Sequence, residues 1–239
     1  MARREGTPPG RAELLDRLAA VIGSIRVEHV VRVAVDGVDG AGKTTFADEL
    51  APRVARRGRP VIRVSADGFH RPRAERYQRG ELSPEGYYRD AFDFEAVVRH
   101  VLQPLGPGGS QTYRRASFDL EADKPSRDPV QVASPRALLL MDGAFLLRPE
   151  LRPHWEFAIF LDANPSEILQ RALSRARGGS WSEEHLRERY DRRYLPAHEL
   201  YEAEVHPRRV ADVVIENSDT QRPLVTRVGP AARRLLDLP

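Results

Sequence analysis

Four residues at a fixed spacing carry the first chemical signal. Gly37, Gly42, Lys43 and Thr44 satisfy G-x-x-x-x-G-K-[ST] within "VAVDGVDGAGKTTFADEL". Glycines in such a turn let backbone N–H groups point inward around phosphate oxygens. The lysine neutralises the outer phosphates and the threonine hydroxyl binds Mg²⁺. The stretch Gly37, Val38, Asp39, Gly40, Ala41, Gly42, Lys43, Thr44, Thr45 therefore reads as a nucleotide-binding loop, backed by the positive end of the helix that opens at Gly42. Asp142, closing the apolar run "LLLMD", is the expected second residue of the metal site through a bound water. Its competing reading is a strand-end turn with Gly143.

These residues need a scaffold, and the hydrophobic pattern supplies one. Apolar runs at 30–35, 60–66, 137–143, 157–163 and 211–217 read as strands. Between them lie helical patterns at 43–57, with Pro52 a candidate kink, at 94–102, and at 165–177, where Asn164 caps and Pro165 takes the first position. Residues 11–25 place Leu14, Leu15, Leu18, Ala19 and Ile22 on one helical face. Residues 67–90 are polar and broken by proline and glycine, a long functional loop. The fold class is α/β: a P-loop NTPase-type parallel sheet of about five strands, with helices on both faces. Ligands of such sheets sit beyond the carboxyl ends of the strands. Gly37 to Thr44, Asp67 and Asp142 all fall there. The expected organisation is an N-terminal helical extension at 1–29 and one phosphate-loop domain at 30–239.

Composition narrows the function classes. The 239 residues are 41% hydrophobic and 31% charged, enough for a sizeable core, with a net charge of only +3. No run approaches a membrane span, and "MARREGTPPGR" has no apolar stretch of a secretory signal. A cytoplasmic protein without membrane or nucleic-acid partners is expected. Without cysteine there are no disulfides, thiolate metal sites or cysteine nucleophiles. The basic side is almost all arginine, Lys43 and Lys124 being the only lysines. No N-K-x-D guanine motif is found, which argues against a GTPase switch.

Four blocks then carry a resemblance. "DGFHR" (from Asp67), "RDAFDFEAV", "LLLMDGAFLL" and "HPRRVADVVIEN" follow the phosphate loop in order. With them the chain resembles the uridine kinase, phosphoribulokinase and bacterial pantothenate kinase superfamily. The resemblance implies an ATP- and Mg²⁺-dependent kinase acting on a hydroxyl of a small-molecule acceptor, in a family whose members are often homo-oligomers. Asp67 matches the catalytic base, with Lys43 beside it. Asp93, Phe92 and Tyr113 match residues of the nucleoside pocket, and His70 lies where substrate could be touched. After Tyr113 the chain has Arg114 where uridine kinases have aspartate, and their base-reading histidine has no counterpart. Pantothenate or a sugar is the alternative acceptor. Arg171 and Arg175, four apart on one helix face, and Arg177 beside Gly178 and Gly179, match a hinged, arginine-bearing lid at about 171–195. A non-catalytic nucleotide-binding NTPase, and a nucleotide-monophosphate kinase using Arg71, Arg73 and Arg76, are the rival readings.

Overall fold

The computed structural model describes residues 10–176, 182–230 and 232–233. In chain order come α1 (Arg11–Ser24), β1 (Val31–Gly37), α2 (Lys43–Ala55), β2 (Val61–Ser65), α3 (Arg73–Arg76), α4 (Pro84–Asp90) and α5 (Phe94–Val97). Four two-residue strands follow: β3 (Thr112–Tyr113), β4 (Phe118–Asp119), β5 (Lys124–Pro125) and β6 (Gln131–Val132). The second half holds β7 (Leu138–Asp142), β8 (Phe157–Asp162), α6 (Pro165–Ala176), α7 (Glu183–Arg189), α8 (Leu195–Val205), α9 (Pro207–Val210), β9 (Val213–Glu216) and β10 (Leu224–Val228).

The main sheet runs β10-β9-β8-β1-β7-β2. β1 pairs in parallel with β7 on one side and β8 on the other, and all seven of its residues are buried. A parallel strand covered on both faces needs that apolar run. The sheet has six strands where about five were expected: β10 pairs antiparallel with β9. Its half-exposed residues carry no buried apolar run, so the sequence signal was weak. The helix expected at 94–102 is α-helical only to Val97 and continues as wider π-type turns over Val98–Leu102. Leu14, Leu15, Leu18, Ala19 and Ile22 of α1 are buried in the same core as the sheet. Among the described residues no helix is long and apolar enough to cross a membrane.

Charged side chains also sit inside this core, and β1 itself carries two, Arg32 and Asp36. Arg32, on β1, is 3% exposed. Its guanidinium grips Glu156, just before β8, through Nη2–Oε1 at 2.6 Å and Nε–Oε2 at 3.1 Å, and Nη1 donates to the Leu102 carbonyl at 2.9 Å. His29 Nε2 lies 2.9 Å from the same carboxylate. The pair fastens the entry of β1 to the entry of β8. Burial alone would raise the Glu156 pKa, but the hydrogen bonds from Arg32 and His29 and the Arg32 charge hold it below the usual carboxylate value.

A depressed native pKa contributes stability that is present above the unfolded-state value and is lost as pH falls through the native one. Glu156→Gln is expected to cost about 3 kcal/mol at neutral pH, because it leaves a buried guanidinium uncompensated. Urea unfolding should show this deficit shrinking as the pH falls below the ordinary carboxylate range. A constant deficit would contradict the charge-pair account.

Candidate active site

The loop after β1 turns on Gly42, which has φ +92° and caps α2. That backbone is strained for any residue with a Cβ. The N–H groups of Gly40, Gly42, Lys43 and Thr44 have no acceptor among the described residues. They form a concave set of donors at a helix N-terminus, a geometry that suits phosphate. Lys43 Nζ donates to the carbonyls of Gly37 (2.9 Å) and Val38 (3.1 Å) and lies 3.7 Å from the Asp39 carboxylate. Asn217, at the end of β9, donates to the Ala41 carbonyl at 2.7 Å and fixes the far side of the loop.

Thr44 Oγ1 donates to Asp142 Oδ2 at 2.7 Å. The other oxygen of Asp142 accepts from Arg63 Nη2 at 2.9 Å, and Arg63 Nε donates to Asp48 of α2 at 3.0 Å. The buried Asp142 is thereby aimed at the loop, and Arg63 balances its charge. Among the described residues no three His, Cys, Asp or Glu side chains gather as a metal cage. A hydroxyl and one carboxylate fit Mg²⁺, which commonly takes few protein ligands and completes its octahedron with phosphate oxygens and water.

Asp67 follows β2 in a single turn of 3₁₀ helix, Ala66–Phe69. A Cβ at Gly68 would come within 2.8 Å of the Arg115 carbonyl, so this turn needs glycine to pack beneath residues 115–117. The Asp67 side chain is 73% exposed, with His70 Nε2 at 3.7 Å as its neighbour. His70 Nδ1 lies 2.9 Å from the Ala91 carbonyl, which can only accept, so Nδ1 carries the proton. The His70 ring stacks on Phe92 at 4.3 Å.

These groups share one cavity of about 690 Å³, lined by Lys43, Thr44, Asp67, His70, Phe92 and Asp142 among others. Asp93 and Tyr113 are not among its lining residues. Asp93 caps α5, accepting from the Ala96 N–H at 2.9 Å. Tyr113 is buried with its hydroxyl 3.1 Å from the Gln131 side-chain amide, whose nitrogen donates to it while its oxygen accepts from Arg115. The resemblance placed both by sequence position, but the local turns direct their polar atoms into structural bonds instead.

Within the expected lid at about 171–195, Arg171 does not reach the cavity of Asp67. Arg171 donates to the carbonyls of Asn217 (2.7 Å) and Ser218 and lines a second cavity of about 630 Å³, on the other side of the loop, with Gly40, Gly42 and Thr45. The side chain of Arg175, with Arg177, Gly178 and Gly179, lies outside the described residues. The cavity's lid-side arginines are Arg189 and Arg193, presented by α7 and by π-type turns over Tyr190–Tyr194. Their i, i+4 spacing was readable in "RERYDRRY"; which arginines would face the site was not.

Asp39 was expected only as a loop position. Its carboxylate accepts from Tyr87 Oη at 2.8 Å, and His198 Nε2 lies 3.1 Å from it. Burial alone would raise its pKa, but the Lys43 charge and the hydrogen bonds from His198 and Tyr87 hold it well below the usual carboxylate range. A fixed negative charge thus sits beside the loop lysine.

No family model matches the chain. Over 153 residues it is 23% identical to a uridine kinase of Leuconostoc citreum (strain KM20), covering 60% of this chain and 67% of that protein. A possible uridine kinase from Bacillus stearothermophilus superposes with a TM-score of 0.65 at 23% identity, covering 84% of this chain and 96% of the other. Phosphoribulokinase from Rhodobacter sphaeroides gives 0.56 at 16% identity over 79% and 70%. The chain has the fold of the uridine kinase and phosphoribulokinase superfamily of P-loop kinases.

The loop geometry alone makes a prediction. Inorganic tripolyphosphate should raise the melting temperature of the wild-type protein and leave Lys43→Ala unmoved at the same concentration, read by thermal shift. Equal shifts in the two proteins would place polyphosphate binding elsewhere.

Proposed function

We propose that the protein is an ATP- and Mg²⁺-dependent phosphotransferase that acts on a hydroxyl of a small metabolite. One observation carries this reading: Asp67, free of any ion pair shorter than its 3.7 Å approach to His70, lines the same cavity as Lys43, Thr44 and Asp142. A nucleotide-binding protein with no acceptor has no use for an exposed carboxylate there.

In this reading the loop amides and Lys43 hold the triphosphate, and its nucleoside end extends into the second cavity beside Arg171 and Asn217. Thr44 and Asp142 face the β- and γ-phosphates. Mg²⁺ bound there would neutralise charge on the bridging and outer oxygens. Asp67 accepts a hydrogen bond from the acceptor hydroxyl and aims its oxygen at the γ-phosphorus. The new O–P bond forms as the bond to the β-phosphate oxygen breaks, giving ADP and a phosphate ester. The hydroxyl proton leaves late, through Asp67 to water. A carboxylate is a weak base toward an alcohol, so Asp67 acts chiefly by orientation, in keeping with a reaction that is mostly positioning and charge stabilisation.

A uridine kinase-like nucleoside acceptor is the first candidate from the relatives, with Phe92 and His70 forming an aromatic wall. Asp93 and Tyr113 do not support it, since neither lines the cavity. Pantothenate and sugars stay as the alternatives. ADP release with ATP and Mg²⁺ against uridine, cytidine, pantothenate and several sugars tests the reading. Asp67→Asn should lower kcat by about 10² or more while the ATP KM changes less than about threefold. Thr44→Val should raise the Mg²⁺ concentration for half-activation about tenfold. Tight ATP binding with no acceptor-dependent ADP release would instead support a nucleotide-binding regulator.

A further inference from the structure

The acceptor side of the cavity carries positive charge that transfer to a neutral alcohol does not use. Arg193 is 2% exposed. Its Nη1 donates to the Glu81 carbonyl, and no carboxylate lies within ion-pair distance of it among the described residues. Its Nε is buried without a hydrogen-bond partner. Its guanidinium instead faces the rings of Tyr77 and Tyr87, each at 4.9 Å. Tyrosine faces attract a cation but do not neutralise it.

Arg76, 6% exposed, is paired but incompletely satisfied. Its Nη2 reaches Asp123 at 3.1 Å, and its Nε has no partner. Arg73 and Arg76 lie 5.3 and 5.5 Å from the Tyr77 ring that Arg193 also faces. Three guanidiniums therefore gather around one ring. The carboxylates on their side are Asp123, 40% exposed and already accepting the Arg73 N–H, and Glu81, 43% exposed and paired with Arg189. Arg73, Arg76, Tyr77 and Arg193 all line the cavity of Asp67. Buried cations are normally paired, and a cluster left underpaired while facing a cavity is built for an anion that arrives from solution.

Two anions could fill that role, the γ-phosphate of ATP or a group on the acceptor. Placement favours the acceptor. Lys43 and the loop amides already serve the triphosphate, whereas Arg73, Arg76 and Tyr77 follow directly on the Asp67–His70 turn. We propose that the acceptor carries its own anionic group, a phosphate monoester or a carboxylate, held by Arg193, Arg76 and Arg73 while Asp67 orients its hydroxyl. The hydroxyl half of this statement rests on the phosphotransferase reading; the anion site does not.

The test is calorimetric titration of the protein saturated with Mg²⁺ and a non-hydrolysable ATP analogue, so that the loop is filled. The probes are matched pairs: D-glycerate and glycerol, ribulose 5-phosphate and ribulose, pantothenate and pantothenyl alcohol. ADP release is measured with the same compounds and with uridine. Binding should be confined to the anionic member of at least one pair. Arg193→Gln should weaken it about tenfold or more, with the ATP-analogue affinity changed less than about threefold. Arg76→Gln should act in the same direction and carries the test if Arg193→Gln fails to fold. Equal binding of neutral and anionic members, binding of none of the three anions, or a loss that falls on the ATP analogue overturns the proposal. Efficient turnover of uridine, unchanged in Arg193→Gln, overturns it while keeping the kinase. Arginine-dependent anion binding without any ADP release does the reverse: it keeps the anion site and removes the phosphotransferase reading.

Discussion

The site depends on one constraint, the register of three parallel strands. Val35 of β1 pairs with Asp142 of β7, and Asp142 pairs with Ser65 of β2. These matches set the three strand ends level. The phosphate loop, the Asp67 turn and the Asp142 carboxylate then open onto one space. A slip of one residue would turn Asp142 to the opposite face of the sheet and separate it from Thr44. The buried Arg32–Glu156 pair pins the entry of β1 to that of β8 at the opposite end of the sheet.

On this frame the electrostatics are divided by position. Around the loop, Asp39 and Lys43 stand as a fixed pair, with His198 and Tyr87 holding the carboxylate. Under the loop, Arg63 and Thr44 hold the Asp142 carboxylate from two sides. Across the cavity, buried arginines are cushioned by tyrosine rings and only partly matched by carboxylates. Asp67 is the exposed carboxylate between these regions. A carboxylate left to solvent in a cavity with this much positive charge suits it to meet a neutral hydroxyl rather than another ion.

What the sequence revealed follows the range of the interactions. The phosphate loop is a local device: its glycines, lysine and threonine act within eight residues, and their pattern was legible. Strand ends were legible too, so Asp67 and Asp142 could be placed beyond a sheet. Side-chain direction was not. Asp93 and Tyr113 occupy the positions the resemblance suggested, yet a helix cap and a bond to Gln131 hold them out of the cavity. Arg171 and Arg175 share a helix face by spacing, but spacing cannot say what that face meets, and Arg171 meets the end of β9. Arg63, Asn217, Tyr87 and His198 reach the loop region from far along the chain, so no local pattern marked them. β10 was missed because a half-exposed edge strand carries little apolar signal.

The central claim is that Lys43, Thr44, Asp142 and Asp67 converge on one transferable phosphoryl group. A crystal structure with Mg²⁺ and a non-hydrolysable ATP analogue tests it most directly. The account predicts the γ-phosphate on Lys43 and the loop amides, the metal beside Thr44 and Asp142, and Asp67 facing the γ-phosphorus across the space for a hydroxyl. A nucleotide whose γ-phosphate points away from Asp67, or whose base fills the cavity in front of it, would contradict the account.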